Sequence, residues 1–248
     1  MPEIRLFDAH AHLQNYHTPK GTSEALAAAS AAGVKLTLCN GTRPDDWQKV
    51  LDLAKVRGRV FPFFGLHPWF IDRARDGWPA QLEDFLSRVP SGVGEIGLDK
   101  AVDPDIIKQE EAFIVQLRLA KKLQRPVTIH CVRAWGRLVE ILKEERPPVF
   151  LLHAYGGPPE LTGELAGLGA YFSFGAGLAD PKREKLRKAL IAAPPGRVLF
   201  ETEAPEPGSA PLAEVLRAAA KLLGRNPEVL GELGWTNGEA FLGGVPHG

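Results

Sequence analysis

Histidine and glutamate side chains follow several apolar segments of this 248-residue chain, in an order suited to binding divalent metal ions. Imidazole nitrogen and carboxylate oxygen are ligands for Zn, Mn or Mg, and no set of cysteines points to a sulfur site. One or two such ions can activate a water molecule for hydrolysis. The candidate metal ligands are His10, His12, Glu95, His130, His153 and Glu203.

The first two candidates are separated by a single residue. In an extended segment, His10 and His12 therefore leave the same face of the chain and can share one ion. A pair of solvent-facing polar residues is an equal alternative for this motif taken alone. Asp8 just before it either orients a ligand imidazole or satisfies backbone groups in a turn.

Glu95 has small or apolar neighbours on both sides, in Gly92-Val93-Gly94-Glu95-Ile96-Gly97. Burying an unpaired carboxylate costs roughly several kcal/mol, so Glu95 is expected to coordinate or pair with a cation. Its place in the middle of the series predicts that it bridges two metals. His130 and His153 each follow an apolar run; one of them alone would indicate a core residue, but the whole set indicates a metal site.

Two carboxylates, Glu201 and Glu203, end the last apolar run and share one face of it. Either can hold a water molecule and accept its proton as a general base. Glu203 is nearer the end of the run and is the choice for this role. The predicted catalytic residues are therefore Glu203 and Glu95.

The segments that carry these residues alternate between strand-like and helical patterns. Strand-like runs begin near Ile4, Lys35, Val60, Gly92, Pro126, Val149, Ala170 and Val198. Helical patterns cover residues 23–32, 47–56, 81–89, 109–123, 135–144, 159–168, 181–191 and 212–223. Eight such units predict an α/β protein with a (β/α)8 TIM barrel, formed by one domain over residues 1–248, with the metal site at the C-terminal mouth of the strands.

Composition and charge narrow the class of protein. With 44% hydrophobic and 24% charged residues, no membrane-spanning stretch, no secretory signal and only two cysteines, the chain is expected to be cytoplasmic. The 30 basic and 30 acidic residues cancel, so a phosphate-bearing substrate must be held by a local basic patch or by metal. The segment from Ala204 to Pro211 is predicted to be an active-site loop, and Gly243–Gly248 a frayed tail.

Taken in order, these motifs resemble the TatD family of metal-dependent hydrolases over nearly the whole chain. The resemblance implies a monomer or weak oligomer that acts as a deoxyribonuclease on DNA, or on another phosphodiester, with one or two divalent ions (Zn, Mg or Mn). It also implies that His10 and His12 bind the first ion, Glu95 bridges, and His130 and His153 complete the second site. The motifs are Asp8-Ala9-His10-Ala11-His12, Gly65-Leu66-His67-Pro68, Gly94-Glu95-Ile96-Gly97-Leu98-Asp99, Gln116-Leu117-Arg118-Leu119-Ala120, Pro126-Val127-Thr128-Ile129-His130-Cys131 and Glu201-Thr202-Glu203-Ala204-Pro205.

One departure from the family pattern leaves other functions open. Glu203 stands where the family has Asp, and its extra methylene moves the carboxylate by about 1 Å, which can cost about a hundredfold in rate. A catalytically weakened metal-binding barrel is therefore one alternative. Another is an amidohydrolase acting on a cyclic amide or ester, although such enzymes often bridge their metals with a carboxylated lysine where this chain has Glu95.

Three further residues are predicted to bind substrate. His67 follows the third strand and contacts substrate or shapes its loop, while Asp99 binds substrate or caps a turn. Arg133 is a candidate phosphate partner, because the stretch where many family members carry an arginine is acidic here. A stacking wall for a nucleic acid base, with plain packing as the alternative, is considered for Trp69, Phe70, Trp135 and Tyr155.

Overall fold

Eight parallel strands form the centre of the computed structural model, which describes residues 5–56, 59–243 and 245. Neighbours in the sheet are neighbours in the chain, and each successive pair from β1–β2 to β7–β8 is parallel. This arrangement confirms the predicted TIM barrel. The strands are β1 (Leu6–Ala11), β2 (Val34–Asn40), β3 (Val60–Phe64), β4 (Gly92–Asp99), β5 (Val127–Val132), β6 (Phe150–Leu152), β7 (Ala170–Phe174) and β8 (Val198–Phe200).

The barrel closes where the chain leaves β8 and runs beside β1. The Glu203 backbone N–H donates to the carbonyl oxygen of His10 at 3.0 Å. The Asp8 carboxylate accepts from the Thr202 backbone N–H at 2.9 Å and from its hydroxyl at 2.7 Å. Of the two roles considered for Asp8, the structure therefore shows a contact with the backbone, and it fixes the segment that carries Glu203.

Helices surround the barrel in the alternation that the sequence predicts. They are α1 (Pro19–Ala31), α2 (Pro44–Leu53), α3 (Trp78–Arg88), α4 (Ile106–Leu123), α5 (Trp135–Glu145), α6 (Thr162–Gly167), α7 (Glu184–Ala192) and α8 (Leu212–Leu223). The first three begin before their predicted starts because a proline occupies the first turn of each, where its missing N–H costs nothing. Among the described helices, none combines the length and the apolar character required to cross a bilayer.

A further helix, α9 (Pro227–Leu242), is absent from the sequence prediction. Its Phe241 ring enters the barrel and lies 6.2 Å from the Phe63 ring and 5.5 Å from the Tyr171 ring, measured between centroids. These residues belong to an inner core that is separate from the larger core between strands and helices. The Asn237 side-chain amide donates to the carbonyl oxygens of Pro195 and Val198, at the start of β8, so α9 lies at the end opposite the mouth. The predicted strand start at Ile4 lies outside the described residues, as does most of the predicted tail.

Candidate metal centre

The six predicted metal ligands meet inside the mouth of the barrel. His10 lies in β1, Glu95 in β4 and His130 in β5, whereas the other three follow the ends of their strands. Parallel strands in a barrel bring their carboxyl ends to one rim, so residues far apart in the chain become neighbours. The His10 side chain is fully buried and Glu95 is 2% exposed.

Glu95 stands between two pairs of histidines. Its Oε2 atom lies 3.2 Å from Nε2 of His10 and 3.2 Å from Nε2 of His12. Its Oε1 atom lies 3.2 Å from Nδ1 of His130 and 2.8 Å from Nε2 of His153. Each carboxylate oxygen therefore faces one pair of imidazole nitrogens, which is the arrangement needed to bridge two cations.

The Glu203 carboxylate faces three of these histidines from the open side. Its Oε1 atom lies 3.8 Å from His10 Nε2 and 3.6 Å from His12 Nε2, and its Oε2 atom lies 3.5 Å from His153 Nδ1. Glu203 has φ of 62°, in the left-handed region that most side chains avoid. The barrel-closing hydrogen bonds hold it in this conformation.

Two of the imidazoles are oriented by hydrogen bonds from behind. His12 Nδ1 lies 2.9 Å from the carbonyl oxygen of Asn40, which only accepts, so in the neutral ring the proton is on Nδ1 and Nε2 presents its lone pair to the cluster. Without a cation, burial opposes a charged ring, but Glu203 and Glu95 outweigh it and raise the pKa of His12 to about 10, so a metal ion replaces a proton on Nε2. His130 Nε2 lies 3.1 Å from the Asp99 carboxylate, which leaves Nδ1 toward Glu95. Asn40 was missed by the sequence analysis, although it is a polar residue at the end of the second apolar run.

His67 has the opposite tautomer. Its Nδ1 accepts a hydrogen bond from the Trp69 backbone N–H at 3.2 Å, so the proton of the neutral ring is on Nε2. That Nε2 lies 3.1 Å from Glu95 Oε1. Burial lowers the pKa of His67 to about 4, which keeps the ring neutral near pH 7. His67 therefore presents an N–H donor to the centre, whereas His12 presents a lone pair.

Both central carboxyl groups are ionised, although Glu95 is buried and Glu203 is half-buried. Burial favours the neutral acid, but the surrounding imidazoles, led by His153, outweigh it and hold the pKa of Glu95 well below its usual range. Burial also opposes ionisation of Glu203, and His10 and His153 overcome it to lower the pKa of that carboxyl. In the described part of the chain, no lysine or arginine forms an ion pair with either group.

The donor atoms fit a divalent cation. His153 Nδ1 and Glu203 Oε2 are buried without a hydrogen-bond partner among the described residues, although they lie only 3.5 Å apart. Groups of three ligand atoms converge within 4.8 Å, including His10, Glu95 and His153. Buried anions, converging lone pairs and the absence of a compensating ammonium or guanidinium group are the features of a metal site.

The remaining predicted residues lie around this centre in different ways. Glu201 is held by the barrel: its Oε1 accepts from the Ala154 backbone N–H at 2.9 Å, and its Oε2 accepts from the Ser173 hydroxyl. Burial and the charge of Glu203 raise the pKa of Glu201 to about 8. Arg133 is exposed and does not line the mouth cavity, so its substrate role stays a prediction.

Asp99 lies behind His130 and not in the cavity lining. Its Oδ2 atom also accepts from the Trp69 indole N–H at 2.7 Å, and its Oδ1 accepts from the Ala101 backbone N–H at 2.8 Å. The turn-capping role is therefore present, together with a contact that orients His130. Whether Asp99 also binds substrate stays a prediction.

The mouth is a cavity of about 370 Å³ above the cluster. Trp69 and Phe70 line it, as the stacking hypothesis requires. Tyr155 instead is fully buried, and its ring packs edge-on to that of Trp135 at 5.0 Å. Trp135 and Tyr155 therefore belong to the core between strands and helices. Other residues that line the mouth are His12, Asn15, Thr42, Arg43, His67, Glu95, His130, His153, Glu203, Glu206 and Pro207.

Comparisons with known proteins agree with this geometry. The model of the TatD related DNase family matches residues 7–242. The chain is 31% identical over 208 residues to an uncharacterized metal-dependent hydrolase of Escherichia coli, YjjV. The aligned region covers 82% of this chain and 80% of YjjV. It is 30% identical over 250 residues to the 3'-5' ssDNA/RNA exonuclease TatD of Citrobacter koseri, with 91% and 94% covered. The crystal structure of YjjV, a TatD homologue, superposes with a TM-score of 0.89 at 27% identity, over 98% of this chain and 99% of that one.

Proposed function

This chain belongs to the TatD related DNase family of metal-dependent hydrolases, and we propose that it hydrolyses phosphodiester bonds in DNA. A related protein is named as an exonuclease on single-stranded DNA and RNA, and that name supports a nucleic acid substrate. The expected cytoplasmic location and monomeric or weakly associating state are part of this proposal.

The position of Glu95 is the observation that carries the proposal. One carboxylate oxygen faces His10 and His12 and the other faces His130 and His153, all within 3.2 Å. We assign these five residues and Glu203 as the ligands of one or two divalent ions (Zn, Mg or Mn). Such ions, when bound, polarise a phosphoryl oxygen and increase the acidity of water.

The side chains around the cavity supply the remaining steps. Glu203 is ionised and faces the open side, so its carboxylate can accept the proton of the attacking water. His67 carries its proton on Nε2, 3.1 Å from Glu95 Oε1, and the contact that we propose with a non-bridging phosphate oxygen would share this N–H with Glu95. Trp69 and Phe70 offer ring faces beside the scissile phosphate on which a base can stack.

The two alternative functions receive less support. An amidohydrolase with a bridging carboxylated lysine would need that lysine at the place of Glu95, and Lys100 is exposed beyond the end of β4. A barrel weakened by Glu203 would leave its carboxylate away from the histidines, yet both of its oxygens face them at 3.5–3.8 Å.

The test combines metal content with two substrates. Purified protein is measured for bound Zn, Mn and Mg, then assayed on single-stranded DNA and on bis(p-nitrophenyl) phosphate with each metal. The proposal predicts hydrolysis of both substrates and loss of both activities on chelation. Cleavage of a cyclic amide or ester without phosphodiester cleavage would favour the amidohydrolase alternative, and bound metal without any turnover would favour the weakened barrel.

A further inference from the structure

A second, larger cavity of about 620 Å³ adjoins the mouth cavity. Asn15, Arg43 and Phe70 line both cavities, so the two lie side by side. The second cavity lies between the loop that leads into α2 and the short 3₁₀ helix Pro68–Arg73 with the segment after it.

Basic side chains are concentrated in this second cavity. Arg43, Lys49, Arg73 and Arg75 line it, and none of these four forms an ion pair within the described ranges 5–56 and 59–243 or at Val245. We call the four residues, together with Phe70 and Trp78, the basic groove. Lys49, Arg73 and Arg75 are exposed, whereas Arg43 is half-buried.

The acidic residues of the same cavity do not neutralise it. Asp46 is buried and its carboxylate accepts hydrogen bonds from the backbone N–H and the hydroxyl of Thr42, at 3.0 Å and 2.6 Å. Asp45 is the other acid in the lining and is exposed. Four cations against two anions leave the groove positive in a chain whose net charge is zero.

Two basic residues on the outer helices, by contrast, are paired. Arg118 pairs with Glu145 at 2.7 Å, and Lys122 pairs with Glu83 at 2.7 Å. Such pairs are common on solvated helix faces and attract no anionic ligand. The unpaired cations beside the mouth are therefore available to phosphate groups.

Aromatic rings lie among these cations. The Arg43 guanidinium is 4.6 Å from the Phe70 ring centroid, and that of Arg73 is 5.9 Å from it. Trp78 is half-buried and lines the far part of the groove. Cations that follow the backbone, combined with aromatic faces for the bases, are the usual elements of a single-strand binding channel.

We infer that the basic groove binds the part of a single-stranded polynucleotide that flanks the scissile phosphate, an inference that rests on the proposed phosphodiesterase function. The mouth, at about 370 Å³, accommodates the reacting group and its neighbour, and the groove extends the contact along the strand. A duplex is excluded as the preferred ligand because its stacked bases cannot reach Phe70 and Trp78.

The test compares two charge-removing variants of the metal-loaded protein. R73A/R75A removes two groove cations that do not line the mouth, and R59A/R225A removes two exposed cations at the opposite end of the barrel. Binding of a short, fluorescently labelled single strand with phosphorothioate linkages is measured by anisotropy at several salt concentrations. Thermal denaturation of each variant checks that it is folded, and a charge-conserving R73K/R75K variant serves as rescue.

The groove predicts that R73A/R75A weakens single-strand binding by about tenfold and lowers the salt slope by about 0.7 for each lost phosphate contact. R59A/R225A should change the dissociation constant by less than about twofold, and R73K/R75K should retain most of the affinity. Hydrolysis of bis(p-nitrophenyl) phosphate, which occupies only the mouth, should be equal in the three variants.

Three results would overturn the inference: single-strand binding by R73A/R75A equal to that of the unaltered protein, an equal loss in both alanine variants, or tighter binding of duplex than of single strand. Its failure is distinguishable from failure of the proposed function. Groove-dependent binding by a protein that hydrolyses neither substrate supports the groove and counts against phosphodiester hydrolysis. Hydrolysis of the small diester without groove-dependent binding supports phosphodiester hydrolysis and counts against the groove.

Discussion

At the scale of single residues, the centre depends on which nitrogen of each imidazole carries the proton. The Asn40 carbonyl fixes a lone pair on Nε2 of His12, whereas the Trp69 N–H leaves a proton on Nε2 of His67. His12 and His67 lie at similar distances from Glu95, but their neighbours make His12 a candidate metal ligand and His67 a hydrogen-bond donor. The sequence predicted the side chains that meet here but not these neighbours, because Asn40 and Trp69 act through backbone groups that have no residue-type signature.

Glu203 provides the first prediction. We expect Glu203→Gln to lower kcat on a phosphodiester by about a hundredfold or more, because an amide neither neutralises a cation nor accepts a proton. Glu203→Asp should lower kcat by about tenfold, since the shorter side chain withdraws from nitrogens that the present carboxylate faces at 3.5–3.8 Å. Steady-state kinetics with each metal measures both effects.

The Asp substitution also discriminates between explanations. Aspartate is better tolerated than glutamate at the φ of 62° that this position adopts. A faster Glu203→Asp enzyme would therefore show that the extra methylene limits catalysis, contrary to our expectation. Unchanged turnover in Glu203→Gln would remove Glu203 from the catalytic residues.

Asp99 gives a second prediction at this scale. Because its carboxylate lies 3.1 Å from His130 Nε2, Asp99→Asn should weaken the orientation and basicity of that imidazole and reduce metal affinity by about 10–100-fold. Calorimetric titration of the metal-free protein with Zn or Mn measures the change. Asp84→Asn on the exposed face of α3 is the matched control and should bind metal as the unaltered protein does. Equal affinity in both variants would contradict the positioning role.

At the scale of elements, apolar runs were sufficient to predict every strand. Parallel strands covered on both faces are continuous apolar segments, and β5 to β8 have this character. Helix α9 was missed because Gly231, Gly234 and Gly238 lower its helix propensity and interrupt its pattern. Tertiary packing of Phe241 inside the barrel overrides that local preference, and no local sequence rule reports such packing.

The approach of β4 to β5 leads to the third prediction. Gly97 has φ of 148°, and a Cβ atom there would lie 1.9 Å from the carbonyl oxygen of His130. We expect Gly97→Ala to displace β5 together with His130 and to destabilise the fold by about 3 kcal/mol. At this chain length the corresponding fall in Tm is about 6–12 °C.

Gly136→Ala is the matched control for that substitution. Gly136 lies in α5 with no atom within 4 Å of an added Cβ, so alanine there should leave Tm unchanged or raise it slightly. Thermal denaturation compares the two variants, and metal titration tests whether His130 has moved. A Gly97→Ala protein with normal Tm and normal metal affinity would show that the strands adjust without cost.

At the scale of the whole molecule, acidic and basic groups are concentrated in different places although the net charge is zero. The chain carries 30 basic and 30 acidic residues, yet the carboxylates of Glu95 and Glu203 lie at the mouth and unpaired cations lie beside it. Net charge predicted only that a local basic patch must exist if the substrate carries phosphate. Its place could not be predicted, because Arg43 and Arg73 meet only when two separate loops of the barrel fold against each other.

The buried anions make stability depend on metal. When chelation removes the cations, Glu95 and Glu203 lose their compensating charge, so the folded state should be destabilised. A ligand at a hundredfold excess over its dissociation constant adds about 2.7 kcal/mol to the free energy of unfolding. Removal of the metal should therefore lower Tm by about 5–10 °C at this chain length. Activity should disappear with the metal and return when Zn, Mn or Mg is added back.

A Glu95→Gln variant shows whether this dependence comes from the proposed centre. Removing the carboxylate that faces all four ligand histidines should weaken metal binding so far that chelation no longer changes Tm. Scanning calorimetry of both proteins, each with metal and with chelator, gives the comparison. If chelation lowered Tm equally in Glu95→Gln, the stabilising ion would have to bind elsewhere. The assignment of the barrel mouth as the metal centre would then fail.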